Sequence, residues 1–155
     1  MVNRSSATGC SDATIDHLRV ILEEALGDDI NLQTEIVDDH AQARQQARSF
    51  LAMSDAPATI ITGGGGGTLR AVIEGICEGR QQGDLPGGDR IRVAALRMGS
   101  GNIVAKQFGV PLDPERALIG IVANLKEGRT APCCVMRCEV GKKDSPPEVR
   151  YAVAM

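Results

Sequence analysis

The chain has 155 residues and a net charge of -3. With 43% hydrophobic residues, a chain of this length can form one domain with a sizeable core. Only 2% of its residues are aromatic, and its lysines and arginines are scattered. The chain therefore has neither a base-stacking surface nor a basic stripe for a phosphate polymer. We expect no nucleic-acid partner.

Five cysteines form no paired framework, and we recognise no secretory or transmembrane segment beside them. This pattern predicts free thiols in a reducing, cytoplasmic compartment. Cys133, Cys134 and Cys138 lie close together in the sequence. They form no C-x-x-C motif and have no histidine nearby, so they do not predict a metal site.

The first predicted elements alternate between helix and strand. Apolar residues at helical spacing predict a helix that is capped at residue 11 or 12 and stopped by Gly27. The alternating stretch INLQTEIV, residues 30–37, predicts a strand, and residues 40–53 predict a second helix.

The same alternation continues through the centre of the chain. ATIIT, residues 58–62, predicts a buried strand, and a helix follows from Thr68. IRVAALRM, residues 91–98, predicts another strand, followed by a short helix that Gly109 closes. Residues 113–128 predict a helix with an aspartate cap and a proline in its first turn.

The strand and helix order predicts an α/β fold in three layers with a mainly parallel sheet over residues 1–130. The remaining residues, 131–155, differ because two strand-like runs are joined by the polar GKKDSPP. This pattern predicts a C-terminal β-hairpin. We interpret the hairpin as the start of a truncated β-rich domain.

Two glycine-containing loops, GGGGGT at residues 63–68 and GSGN at residues 99–102, each lie between a predicted strand and a predicted helix. Parallel sheets bind ligands at this edge, where backbone amides and helix N-termini favour an anion. Neither loop matches a Walker loop, a dinucleotide fingerprint or a nucleophile elbow. The loops predict a site for the phosphates of a small ligand, and the alternative is a slack loop without a ligand.

The stretch GGGGTLRAVIEGI, followed by LRMGSGNIVAKQFGVPLDPERAL, resembles the catalytic domain of the diacylglycerol kinase and sphingosine kinase family of lipid kinases. Members of that family carry G-G-D-G-T-L-N-E-V-x-N-G, then G-T/S-G-N-D-x-A and P-x-D-P-x-x-A-L. Asn3 resembles the Asn of the family's N-P-x-S-G, with SSATG in place of the rest, and His40-Ala41 resembles its G-H-A. The likeness covers most of the chain.

The resemblance implies a nucleotide-binding α/β domain, similar to that of NAD kinases and phosphofructokinases, followed by a β-sandwich domain. In the family both loops hold the phosphates of ATP, Mg²⁺ assists, and a lipid hydroxyl attacks the γ-phosphate. The implied partners are ATP and a diacylglycerol or sphingoid-like acceptor, which brings a longer protein to a membrane surface. The implied ATP-binding residues are Asn3, Gly64, Gly65, Gly66, Gly67, Thr68, Gly99, Ser100, Gly101 and Asn102.

The chain departs from the family motif at its acidic and polar positions. Gly66 stands where the family has the Asp of G-G-D-G-T, and Ile103 replaces the Asp after G-x-G-N. Arg70 and Ala71 replace the following Asn and Glu. A glycine can neither accept a proton nor anchor a metal, so the sequence assigns no catalytic residue and no metal ligand.

Three other carboxylates are candidates to replace the motif aspartate. Asp38 and Asp39 are interpreted as a strand end and a helix cap, and Glu74 lies on a helix further from the loop. Arg70 either neutralises a phosphate or is a solvated side chain.

We expect no lipid phosphorylation by these 155 residues alone, because the lipid-binding half of the cleft is absent from them. Two alternatives to a lipid kinase stay open. The first is a catalytically degenerate nucleotide-binding or regulatory remnant. The second is an interaction module that forms a homodimer through the strand edge of Val135 to Met155.

Overall fold

The computed structural model describes residues 1–6, 10–27, 30–52, 56–83, 90–141 and 147–154. Within these ranges the chain forms five helices and six strands, which alternate except that the last two helices follow one another before the final hairpin. In chain order they are β1 (Val2–Asn3), α1 (Asp12–Leu26), β2 (Ile36–Val37), α2 (His40–Ala52), β3 (Ala58–Gly64), α3 (Gly66–Gln81), β4 (Ile91–Arg97), α4 (Ile103–Gln107), α5 (Pro114–Lys126), β5 (Cys134–Val140) and β6 (Glu148–Ala154).

The first four strands form one parallel sheet in the order β2-β1-β3-β4. The pairing of β3 with β4 is continuous, from Ala58 opposite Ile91 to Gly64 opposite Arg97. Because all four strands run in one direction, their carboxyl ends meet at one edge of the sheet. This confirms the predicted α/β class with a parallel sheet.

Helices cover the sheet on both faces. One core contains Leu18 of α1, Leu96 of β4 and Leu118 of α5, so α1 and α5 share a face. Ile60 of β3 packs with α2 and α3 on the other face, beside Val72, which is fully buried. The predicted three-layer arrangement is therefore present.

Helix α2 packs very closely against α3. A Cβ added to Gly75, in the middle of α3, would collide with the backbone carbonyl of Arg44 in α2. Only a residue without a side chain permits this approach, which holds the two helices as a pair.

Local signals place the helix ends correctly. Ser11 caps α1 by accepting a hydrogen bond from the backbone N–H of Thr14 at 3.2 Å, and Gly27 ends the helix with φ of 79°. Asp113 caps α5 in the same way, from the N–H of Arg116 at 2.8 Å.

The strand predicted over residues 30–37 is wrong for most of its length, because only Ile36–Val37 forms β2. The partner strand explains the difference. In the described part of the chain, β2 pairs with β1 through Val2 opposite Ile36 and Asn3 opposite Val37, and the N–H of Val2 makes one further hydrogen bond, to the carbonyl of Glu35 at 2.8 Å. The sequence did not predict β1, which is too short to show any periodicity.

The other predicted boundaries differ by only a few residues. Strand β3 continues two glycines beyond the predicted ATIIT, and α3 begins at Gly66 rather than Thr68. The predicted end of α2 at Met53, part of the loop before β4 and the centre of GKKDSPP lie outside the described residues.

The predicted C-terminal hairpin is confirmed. Strands β5 and β6 pair antiparallel, from Cys134 opposite Ala154 to Val140 opposite Glu148. Tyr151 of β6 is buried against Leu69 and Ile73 of α3, whereas β5 is exposed along its whole length.

All five cysteines are free thiols. Burial raises the pKa of the Cys10 thiol, and it also raises the pKa of Cys77 and Cys133. These three groups therefore stay protonated at neutral pH, which lowers their reactivity.

The amino group of Met1 lies inside the fold, where it donates a hydrogen bond to the carbonyl of Ile61 at 3.0 Å. Burial lowers the pKa of this amine from 8.0 to about 6, against a smaller opposing effect of the Glu35 carboxylate. The native state consequently binds the proton less well than the unfolded chain does.

We predict that the free energy of unfolding rises as the pH increases from 6 to 8, because the unfolded state holds more protons in this interval. A shift of this size corresponds to roughly 3 kcal/mol. Urea unfolding at several pH values measures the rise. A chain extended by two residues before Met1 has an amide at this position and should lack this contribution. An equal rise in both chains would contradict the prediction.

Candidate functional site

The five glycines of the run do different structural jobs. Gly63 and Gly64 are the last residues of β3, Gly65 is the N-cap of α3, and Gly66 and Gly67 are the first residues of α3. None of them has a positive φ. The run is therefore part of a strand and a helix, and no unusual backbone conformation requires its glycines.

A Cβ atom built on each glycine shows which neighbouring atoms a side chain would meet there. At Gly63 a Cβ would lie 3.1 Å from the Met98 sulfur, and at Gly64 it would lie 2.5 Å from Oγ1 of Thr68. At Gly67 it would lie 2.5 Å from Nε2 of His40. Gly66 differs from these positions, because a Cβ there meets nothing within 4 Å.

The two predicted loops touch each other. A Cβ on Gly65 would lie 3.4 Å from Cα of Gly99, and a Cβ on Gly99 would collide with the Gly65 backbone. This contact follows directly from the sheet, because β3 and β4 are paired up to Gly64 and Arg97.

Asn102 fixes the shape of the second loop. Its side-chain oxygen accepts a hydrogen bond from the N–H of Gly99 at 3.0 Å, and its side-chain amide donates to the carbonyl of Gly99. Asn102 itself has a φ of 49° and is 8% exposed. Asparagine is one of the few residues that adopts this left-handed conformation readily.

Asn3, at the end of β1, joins the first loop. Its side-chain amide donates to Oγ1 of Thr68 at 3.0 Å, and its side-chain oxygen accepts from the N–H of Ser5 at 2.9 Å. Asn3 and Thr68 are both buried, so the end of β1 is tied to the first turn of α3. The hydrogen bonds leave the Asn3 side chain with little freedom to turn toward a ligand.

A cavity of about 210 Å³ opens where these segments converge. Its described lining comes from the end of β1, the start of α2, the first turn of α3 and the loop after β4. These residues are Asn3, Ser5, Ser6, His40, Gly65, Gly66, Gly67, Thr68, Gly99, Ser100 and Gly101.

The cavity suits an anion more than a cation. None of its described lining residues is Asp, Glu, Lys or Arg. The N-termini of α2 and α3, helices of 13 and 16 residues, both begin there, and helix dipoles and free amides favour negative charge at such ends. The hydroxyl of Ser6 is buried with no partner in the described part of the chain, so it can also donate to a ligand.

Eight of the ten residues expected to bind ATP line this cavity. The other two support it from behind: Gly64 lies in β3, and Asn102 holds Gly99. Ser5, Ser6 and His40 also line the cavity but were not assigned to the site. Ser5 and Ser6 belong to SSATG, and His40 belongs to the pair that resembles G-H-A, so these motifs could have identified them. Ala7 to Gly9 of SSATG lie outside the described residues.

The aspartates that are candidates to replace the motif carboxylate lie outside the described cavity lining. Asp39 caps α2 by accepting from the N–H of Gln42 at 2.8 Å, and Asp38 is exposed beside it. Neither is part of the described cavity lining.

Glu74 is buried on the hairpin side of α3. Its Oε1 has no hydrogen-bond partner within the described ranges, and it lies 3.7 Å from Nε of Arg70 and 3.9 Å from a guanidinium nitrogen of Arg150 in β6. Arg70 therefore pairs with a protein carboxylate instead of lining the cavity. Because a buried carboxylate needs such partners, this cluster links the hairpin to α3.

We predict that Gly99→Ala lowers the free energy of unfolding by about 1 to 3 kcal/mol, because the added methyl forces the two loops apart. Gly101→Ala is the matched control in the same loop. A Cβ at Gly101 meets nothing within 4 Å, so its effect should stay within about 1 kcal/mol. Urea unfolding measures both, and equal values for the two variants would show that the loops do not need this contact.

Comparison with known proteins finds one family model and two curated relatives. The family model of the diacylglycerol kinase catalytic domain matches residues 1–136. A segment of 61 residues is 41% identical to "Probable lipid kinase YegS-like" of Pseudomonas aeruginosa strain UCBPP-PA14, and equally to the protein of that name in strain PAO1. The segment covers 39% of this chain and 18% of each relative.

No solved structure matches the chain significantly. Among the described residues, no helix has both the length and the apolar character to span a membrane. The family match covers most of the chain and includes every residue of the cavity described above. The chain therefore belongs to the diacylglycerol kinase catalytic domain family.

Proposed function

We propose that this chain is the ATP-binding part of a lipid kinase that transfers the γ-phosphate of ATP to a lipid hydroxyl. The triphosphate would lie across residues 64–68 and 99–102. The observation that carries the proposal is the contact of Gly65 with Gly99, which brings two side-chain-free loops to one anion-favouring cavity. Family membership supplies the reaction class.

The cavity fits phosphate groups better than a protein-held Mg²⁺. Mg²⁺ prefers carboxylate and phosphate oxygens in octahedral geometry, and the described lining offers only hydroxyl, amide and backbone oxygens. Glycine amides, by contrast, let a phosphate approach the main chain directly. We therefore assign ATP to the cavity and assign no magnesium ligand to this chain.

The acceptor is a lipid hydroxyl of the diacylglycerol or sphingoid-like kind, reached at a membrane surface by the whole protein. Membership of the family supports this proposal. The acceptor is proposed for the whole protein because the matched segment spans only 18% of the curated relatives. Residues 1–130 would form the nucleotide-binding domain and residues 131–155 would begin the β-rich domain. The free thiols support a cytoplasmic location.

A second candidate is a degenerate member that binds nucleotide without transferring phosphate. Gly66 favours it, because this position faces open space at the cavity and carries no carboxylate. Positioning alone does not supply a proton acceptor for the attacking hydroxyl.

A third candidate, a homodimer through the hairpin, draws on the exposed strand β5. Val135, Met136 and Val140 of β5 are 40%, 52% and 59% exposed. An uncovered strand edge with apolar side chains is suited to pairing with a second chain. Light scattering that shows a monomer would remove this candidate.

We predict that ATP raises the melting temperature of the 155-residue chain, because a ligand that binds only the folded state stabilises it by about 2.7 kcal/mol at 100 times its Kd. Adenosine, which lacks phosphates, is the control and should give a much smaller shift. An ATP titration with no shift up to millimolar concentration would contradict the nucleotide assignment.

Gly66→Asp separates the kinase from the degenerate member. The substitution should leave the fold intact, because the new side chain enters open space. In a form of the protein that includes the lipid-binding domain, we expect Gly66→Asp to increase diacylglycerol phosphorylation at least tenfold if the parent lacks only the proton acceptor. Gly101→Asp is the matched control, since it adds a carboxylate to the same cavity away from the motif position. Full activity in the parent would rule out the degenerate reading.

A further inference from the structure

His40 is the one residue among the described cavity lining whose side chain can carry a positive charge. The other lining side chains are neutral amides and hydroxyls, or glycines with none. A bound triphosphate carries several negative charges, so a single cationic or donating group in its cavity has a large effect on where it binds.

The imidazole lies directly against the first turn of α3. Nε2 of His40 lies 2.5 Å, and Cε1 2.6 Å, from the place that a Cβ of Gly67 would occupy. The ring edge that carries Nε2 therefore lies beside Gly67, and any larger residue at position 67 would displace it.

Neither ring nitrogen of His40 has a hydrogen-bond partner in the described part of the chain, and the residue is exposed. The other histidine, His17, differs because its Nε2 lies 3.3 Å from a carboxylate oxygen of Glu115. The His40 ring is thus held at the cavity with its donor capacity unused by the protein.

The backbone around His40 is well supported. Asp39 accepts from the N–H of Gln42 at 2.8 Å, and Gln42 Oε1 accepts from the N–H of Asp38 at 2.8 Å, so both ends of this turn are bonded. The close packing of Gly75 on Arg44, one turn after His40, keeps the start of α2 beside α3. Because the backbone of His40 is fixed in this way, little backbone rearrangement is needed when a ligand binds.

We infer that His40 binds the phosphate tail of the nucleotide, with Nε2–H donating a hydrogen bond to a phosphate oxygen next to the Gly67 amide. The inference rests on the proposed function and assigns to this cavity a side-chain contact in addition to its backbone amides. It makes His40 a binding residue that selects for phosphorylated ligands.

The chain's two histidines allow a direct test by proton NMR. We expect inorganic tripolyphosphate and ATP to shift the ring Cε1–H resonance of His40 and to leave that of His17 in place. The variant His17→Gln assigns the two signals. Adenosine should shift neither signal.

Calorimetry of variants measures the size of the contact. His40→Ala should weaken tripolyphosphate binding about fivefold to tenfold, in line with the loss of one charge-assisted hydrogen bond. His40→Gln retains an N–H donor and should recover part of the loss, and His17→Ala should bind like the parent. Unchanged melting temperatures would show that the variants fold.

The outcomes separate the two claims. If the parent binds neither ATP nor tripolyphosphate, the proposed function fails. If the parent binds both, while His40→Ala binds equally well or the His40 resonance does not move, the inference about His40 is wrong and the backbone alone holds the phosphates. If His40→Ala binds tripolyphosphate normally but loses only turnover in a longer form, the ring acts on the acceptor hydroxyl, which also overturns the inference.

Discussion

The whole site depends on the contact between two backbone segments that have no side chains at the point where they meet. Gly65 and Gly99 follow neighbouring strands, and a single methyl group on Gly99 would enter the Gly65 backbone. Because the loops are this close, residues of both loops and the N-termini of α2 and α3 line one small cavity. The glycines therefore allow the ends of a strand pair to form the cavity to which we assign the phosphates.

The surrounding side chains hold this contact in place rather than take part in it. Asn102 fixes the second loop through both of its side-chain polar atoms, and Asn3 reaches Thr68 from the end of β1. What the cavity lacks is equally informative about chemistry. Its described lining has no carboxylate, and Gly66 stands where the family motif has an aspartate. This composition is consistent with the proposed role in binding phosphate and offers no carboxylate to take up a proton.

The sequence predicted those parts of the fold that depend on local patterns. The caps at Ser11 and Asp113, the strand before the glycines and the hairpin all follow from residue types and spacing within a few turns. Parts that depend on distant partners were missed or misjudged. β1 has two residues and no periodicity, and β2 pairs with it at two positions. Glu74 lies beside Arg150 of the hairpin, and the sequence pattern of α3 alone does not predict this contact.

The same limit applies to the site. Motifs were enough to find the loops and to predict that they belong together. The orientation of the His40 ring, by contrast, is set by how α2 lies on α3, which no pattern within either helix encodes.

The packing of Gly75 on Arg44 has a consequence for control of the cavity from a distance. Gly75 lies eight residues along α3 from Gly67, or about 12 Å at the helical rise. A bulkier residue at position 75 would push α2 away from α3 and move the imidazole of His40 away from Gly67. No residue of the proposed phosphate site would itself be changed. Under the proposed function, the affinity for phosphate would then depend on the distance between α2 and α3 at Gly75, about two helical turns from the cavity.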